Sequence, residues 1–300
     1  PHPPALEPHP PAPSPLRGEG GCSPSEGDSP LITFRNVHYR YDGGPPALSD
    51  INLSLRAGEY VALIGANGSG KTTLARHING LLRPQVGCVF VAGQDTRRTS
   101  TGALARHVGL VFQNPDHQIF AASVRAEVAF GPRNLGLTPA EVEERVSEAL
   151  AAFGLTHLAD APPAALGYGL RRLVALASVH AMRPRVLVLD EPTAGLDRQL
   201  TSRLLAWVDR LHAAGATIVL ITHDMRVAAL ASRCVVLTGG RVVLDAPAAE
   251  AFADPQRLAA WGLSAPTPIT LARQLGLAGS PLTVEALCRL VARIGEGSDL

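Results

Sequence analysis

The chain has 300 residues, enough for one large domain or two small ones with a sizeable buried core. Hydrophobic residues make up 46%, charged residues 18%, and the formal net charge is +1, which argues against both a nucleic-acid binder and a sponge for acidic ligands. The longest apolar runs, at 186–189 and 216–221, are strand-length and fall far short of a bilayer span. The proline-rich start has no initiator Met and no apolar signal core, so no secretory signal is expected and the true start is expected elsewhere. The chain is expected to be soluble by itself, so that at a membrane other subunits would supply the spanning helices. Cys22, Cys88, Cys234 and Cys288 are scattered without a CxxC pair, which reads as structural thiols rather than a zinc or disulfide framework. Lys71 is the sole lysine among many arginines.

In chain order, residues 1–30 are rich in Pro, Gly and Ser, have no hydrophobic period, and read as a disordered tail. Strands are expected at 32–39, 51–55 and 60–64, the last a buried run ending at glycine, followed by a helix over 72–82. Thr138-Pro139-Ala140-Glu141 is a capping box with proline at the first helical position, predicting a helix to about Phe153. Pro162-Pro163 interrupts the chain before a further helix at 170–182. Buried strands follow at 185–189 and 216–222, with a helix at 201–212 between them, and 234–237 with 241–244 read as a hairpin across Thr238-Gly239-Gly240. Strands alternating with helices imply a parallel α/β sheet, into which a helical stretch at about 116–183 looks inserted.

Gly65-Ala66-Asn67-Gly68-Ser69-Gly70-Lys71-Thr72 fits G-x-x-x-x-G-K-[ST] at every fixed position and lies between a strand and a helix, as a P-loop must. Its glycines let the backbone wrap closely, so successive N–H groups point at phosphate oxygens near the positive end of the helix. Lys71 is placed to reach β- and γ-phosphates, Thr72 to hold Mg²⁺, and Thr73 completes the nucleotide-binding run. The buried run 186–189 delivers Asp190 and Glu191 to a strand's carboxyl end, where ligands of open α/β sheets sit. There Asp190 is expected to take Mg²⁺ through its water shell, and Glu191 to orient or deprotonate an attacking water. His223 follows the next strand and is expected near the γ-phosphate.

With these motifs in this order, the chain resembles the ABC ATPase family over about residues 31–246. The resemblance implies an α/β fold: a P-loop NTPase (RecA-like) core with an inserted helical subdomain and an N-terminal antiparallel β-subdomain. It divides the chain into the tail 1–30, an ATPase domain at 31–250 and a C-terminal helical extension at 251–300. Glu191-Pro192-Thr193-Ala194-Gly195-Leu196-Asp197 matches the segment leading to the D-loop, whose Asp197 would reach across a dimer. Gln113 matches the Q-loop glutamine, which touches Mg²⁺ and reports to the membrane subunit. Tyr41 looks like the aromatic that stacks on adenine, with Tyr39 as its competitor.

A longer match, Phe112-Gln113-Asn114-Pro115-Asp116-His117-Gln118-Ile119-Phe120 continued by Glu127-Val128-Ala129-Phe130-Gly131-Pro132, resembles energy-coupling factor transporter ATPases. That resemblance implies ATP and Mg²⁺ as cofactors and uptake of vitamins or transition-metal ions as the purpose. It implies a second ABC ATPase, a transmembrane coupling subunit and a substrate-binding membrane subunit as partners, no nucleic acid, and a peripheral place on the cytoplasmic face of the membrane.

One motif departs from the family. Where L-S-G-G-Q is expected, this chain has Leu166-Gly167-Tyr168-Gly169-Leu170, followed by Arg171-Arg172. The lost serine hydroxyl is a γ-phosphate donor, a bond typically worth about 1.5–3 kcal/mol, and Tyr168 adds bulk where glycine admits phosphate. The expectation is a heterodimer with one competent and one degenerate composite site. A regulatory ATP-binding subunit with little turnover of its own is the alternative.

Overall fold

Alternating apolar residues from Ile32 to Val37 and from Leu48 to Leu55 bury one face of each of two strands, β1 (Ile32–Arg40) and β2 (Pro46–Leu55), which pair antiparallel. β3 (Tyr60–Ile64) is buried along its whole length, and the P-loop leads from it into α1 (Lys71–Ile78). This computed structural model describes residues 30–296, so the tail expected at 1–30 falls outside the described residues but for its last one.

β4 (Val86–Val91) joins β1, and the short β5 (Gln94–Asp95) joins β4, giving an antiparallel sheet of order β2-β1-β4-β5. The brief helix α2 (Thr101–Leu104) leads to β6 (Val108–Val111). Neither β4, β5 nor β6 was among the expected strands. β4 contains Gly87 at φ 81, where a Cβ would collide with the Asn36 carbonyl, and β6 is four residues long with Gly109 inside it. Both runs are too short and too interrupted for an alternation signal.

Three helices follow between β6 and β7: α3 (Val124–Asn134), α4 (Pro139–Phe153) and α5 (Tyr168–Ala181). They bury Val128, Val146, Leu150 and Leu176 in a shared core. β7 (Val186–Asp190), α6 (Arg198–Ala213), β8 (Thr217–Ile221), α7 (Met225–Ala228), β9 (Arg233–Thr238) and β10 (Arg241–Pro247) complete the second sheet. Its order is β10-β9-β3-β8-β7-β6, parallel apart from β10. Continuous apolar runs in β3, β7 and β8 match burial on both faces, as a covered parallel sheet requires. After β10 the described residues form four helices: α8 (Ala248–Ala251), α9 (Pro255–Ala260), α10 (Thr267–Gln274) and α11 (Val284–Glu296).

The fold is therefore α/β, with a P-loop core, helices inserted between β6 and β7, and a separate antiparallel sheet, as expected. The helix predicted to reach residue 82 stops early, because Asn79 caps it and Gly80 follows at φ 71. The helix foreseen from 170 begins at Tyr168. Of the four cysteines read as thiols, Cys22 lies outside the described residues. Cys234 and Cys288 are free, and burial pushes the Cys234 thiol up to about 12. Among the described residues, no helix is long and apolar enough to cross a membrane.

At the start of α4 the Thr138 hydroxyl accepts the Glu141 N–H, and the Glu141 carboxylate accepts the Thr138 N–H at 2.8 Å. Thr138→Ala is expected to lower unfolding free energy by about 1 kcal/mol, read as a lower urea midpoint with unchanged slope.

Candidate functional site

Strands β3, β8 and β7 are neighbours in one parallel sheet, so the segments leaving their carboxyl ends emerge side by side. The P-loop leaves β3, Asp190 ends β7 with Glu191 next, and Thr222-His223 leaves β8. Residues from all three line one cavity of about 550 Å³, together with Tyr41 and Gln113.

The P-loop takes its shape from glycines, two of which, Gly65 and Gly70, have no room for a Cβ. Gly70, at φ 104, caps α1, and a Cβ there would lie 2.6 Å from the Ala47 carbonyl oxygen. Asn67, Gly68, Ser69 and Gly70 line the cavity with Lys71, Thr72 and Thr73, while Gly65 turns the chain out of β3. The Lys71 ammonium donates to the carbonyls of Gly65 at 2.8 Å and Ala66 at 2.9 Å. Burial holds its pKa below the usual lysine value, opposed by the nearby Glu191 and Asp190 carboxylates.

The Thr72 hydroxyl donates to Asp190 Oδ2 at 2.9 Å, joining residues 118 apart in the chain. Burial raises the Asp190 pKa, and the Thr72 bond works in the opposite direction. Glu191 is buried, with one carboxylate oxygen 2.8 Å from His223 Nδ1 and the other accepting from the Thr222 hydroxyl at 3.4 Å. Its backbone has φ 47, a left-handed conformation that costs a non-glycine residue about 1–2 kcal/mol.

Of the two candidate aromatics, Tyr41 lines the cavity, with its hydroxyl 3.2 Å from Thr73 Oγ1. Tyr39 turns away and packs edge-on against His77. Gln113 also lines the cavity, and its main-chain carbonyl accepts from the Tyr168 hydroxyl at 3.3 Å. Asp197 caps α6 by accepting from the Leu200 N–H at 2.8 Å. The altered signature residues Leu166, Gly167, Tyr168, Gly169 and Leu170 do not line the cavity. They surround the start of α5, where Gly167 is the cap and Tyr168 the first helical residue.

Sequence reasoning missed two residues. Thr222 bonds to Glu191, and Arg172, fully buried on α5, donates to main-chain oxygens around the site. The available signal for Arg172 was a charge on a helix whose next seven residues are all buried.

This arrangement defines a class first, a P-loop nucleotide-binding cassette. The family model for ABC transporters matches residues 48–194. The energy-coupling factor transporter ATP-binding protein EcfA1 of Symbiobacterium thermophilum is 44% identical over 284 residues, covering 88% of this chain and 99% of that protein. The cobalt import ATP-binding protein CbiO of Rhodobacter capsulatus is 46% identical over 247 residues, covering 81% of this chain and 88% of that one. Another relative, 44% identical over 262 residues, is longer, and the chain spans 46% of it. Among solved structures, cbiO1 from Clostridium perfringens, described as part of the ABC transporter complex cbiONQ, superposes with a TM-score of 0.66. It is 37% identical and the match covers 77% of this chain and 93% of that one. The chain belongs to the ABC transporter ATP-binding family, among relatives of the energy-coupling factor type.

Gly70→Ala is expected to weaken ATP binding at least tenfold, because the added Cβ must displace the Ala47 carbonyl. Gly68→Ala is the paired control: it has a similar positive φ of 77 but open space around it, so a smaller loss is expected. Equilibrium titration with a fluorescent ATP analogue reads both.

Proposed function

We propose that this chain is the ATP-binding and hydrolysing subunit that energises an energy-coupling factor type importer of vitamins or transition-metal ions. The observation that carries the reading is the single cavity in which Lys71, Thr72, Asp190, Glu191 and His223 meet. Relatives named as energy-coupling factor and cobalt import ATP-binding proteins support the transport assignment.

In this reading the P-loop N–H groups and the α1 N-terminus cradle the phosphates, and Lys71 exchanges its Gly65 and Ala66 carbonyls for phosphate oxygens. Tyr41, partly exposed at the cavity rim, supplies a stacking face for adenine. Glu191 orients or deprotonates the attacking water. His223, 2.8 Å from Glu191, holds that carboxylate and contacts the γ-phosphate. Such catalysis consists mainly of positioning and charge stabilisation, and needs no covalent intermediate on the protein.

The residues present fit Mg²⁺. The Thr72 hydroxyl and Asp190 carboxylate, 2.9 Å apart, are hard oxygen donors. Among the described residues no group of three or more His, Cys, Asp or Glu forms a cage for a metal. That is the pattern for a cation held by one or two protein oxygens plus substrate phosphates. Thr72 and Asp190 would hold it with Gln113 near, and its bound charge would offset that of the β- and γ-phosphates.

The partners follow from the same reading: a second ABC ATPase, a transmembrane coupling subunit and a substrate-binding membrane subunit, at the cytoplasmic face of the membrane. A groove of about 270 Å³ beside the Q-loop, with Phe120 and Phe130 exposed and packed edge-on at its rim, supports docking of an apolar partner element. The tail 1–30, the ATPase domain 31–250 and the C-terminal helical extension 251–300 are the proposed division of the chain.

Composite sites pair one subunit's P-loop with the other's signature, so the altered Gly167-Tyr168 degrades the partner's site, whereas this chain's own P-loop, Glu191 and His223 are all present. We therefore favour a heterodimer with one competent site. The alternative, a regulatory subunit that binds ATP with little turnover, draws on the same altered signature, but an intact Glu191 and His223 weigh against it. The purified chain alone is expected to hydrolyse ATP at least tenfold more slowly than the pair with its partner ATPase, with Glu191→Gln abolishing the pair's turnover at this chain's site. Robust hydrolysis by the lone chain, lost in Glu191→Gln, would exclude the heterodimer.

A further inference from the structure

The guanidinium of Arg172 is buried to 0% exposure, yet no carboxylate oxygen bonds it. A guanidinium has five N–H donors in a fixed fork, and five oxygens receive them here. Nε donates to the Pro192 carbonyl at 2.8 Å. One terminal nitrogen donates to the Gln113 carbonyl and to the Tyr168 hydroxyl at 3.3 Å. The other donates to the Asp190 carbonyl at 3.3 Å and to the Glu191 carbonyl. Every donor is satisfied, so the charge survives burial, although desolvation lowers the Arg172 pKa.

The acceptors are not scattered. Three are consecutive main-chain carbonyls, at 190, 191 and 192, around the left-handed turn of Glu191. The fourth is the main chain of Gln113, the Q-loop residue, and the fifth is the altered signature residue Tyr168. Tyr168 is itself pinned. Its hydroxyl donates to the Gln113 carbonyl at 3.3 Å, and its ring fills the space beside Gly195, where a Cβ would lie 2.8 Å from the ring.

Resting on the functional reading above, we propose that Arg172 is a positioning residue for Glu191, that it ties the Glu191 turn to the Q-loop through one guanidinium, and that Tyr168 anchors that tie inside its own subunit. A non-glycine residue at φ 47 persists only when its surroundings over-determine it. The Glu191 N–H bonds the Ile221 carbonyl at 2.9 Å, and Arg172 supplies the bond on the carbonyl side. A Q-loop movement that carries the Gln113 carbonyl away must either break this contact or pull on the turn that aims the Glu191 carboxylate. Tyr168 then has a role beyond a lost glycine, since its hydroxyl completes the Arg172 acceptor set.

The test uses the full chain, alone and paired with its partner ATPase, carrying Arg172→Gln, Arg172→Lys or Tyr168→Phe. Arg172→Gln is expected to lower kcat at least tenfold while the dissociation constant for Mg-ATP stays within threefold. Arg172→Lys is expected not to rescue, because a point ammonium cannot span the fork of acceptors. Tyr168→Phe, which keeps the ring on Gly195 and removes only the hydroxyl, is expected to lower kcat two- to fivefold. Deuterium exchange at the amides of Glu191 and of residues 193–196 is expected to rise in Arg172→Gln over the wild type, and this readout does not depend on turnover. Unchanged exchange there, kcat and ATP affinity falling in step, or full rescue by lysine would each overturn the inference. If Arg172→Gln does not fold, wild-type kcat in both Arg172→Lys and Tyr168→Phe overturns it. A wild-type pair that binds ATP without hydrolysing it would instead defeat the functional reading, leaving the exchange comparison to decide the role of Arg172.

Discussion

The site exists because three parallel strands, β3, β8 and β7, stand side by side and end at one edge. Register does the rest. Leu63 pairs with Ile221, and Ile221 with Asp190, so the residues that follow each strand emerge at the same height. The Thr72–Asp190 bond at 2.9 Å closes the arrangement by joining the start of α1 to the end of β7. If that adjacency were lost, each motif would survive as a local turn and none would have a substrate to share.

Concentrating charge at a buried edge has a cost, and the electrostatics record it. Lys71 is shifted toward its neutral form and Asp190 likewise, each mainly by desolvation. A bound polyphosphate with its cation would supply the opposite charges both groups lack. Arg172 differs, since its charge is met by four main-chain carbonyls and one phenol rather than by a substrate. It belongs to the scaffold that shapes the site, whereas Lys71 is free to trade its carbonyl partners for a ligand.

Much of this was legible in the sequence. The P-loop, Asp190-Glu191 and His223 each follow an apolar run of strand length, and the capping box at Thr138 marks the start of α4 to the residue. β4 and β6 were not legible, because glycines interrupt short runs whose burial comes from neighbouring sheets and helices. Tyr41 was singled out over Tyr39 from the sequence, although two tyrosines two residues apart carry nearly the same local signal; the fold adds that Tyr41 lines the cavity while Tyr39 packs on His77. Arg172 and Thr222 were not legible. Their partners are main-chain carbonyls and a carboxylate brought in from distant segments, and no spacing along the chain encodes such contacts.

Calorimetric titration of ATP into the full chain, with and without Mg²⁺, tests the central claim most directly. The account predicts about one nucleotide bound per chain, tighter with Mg²⁺ present, and loss of that binding on Lys71→Ala. No heat of binding, or uptake indifferent to both Mg²⁺ and Lys71, would contradict it.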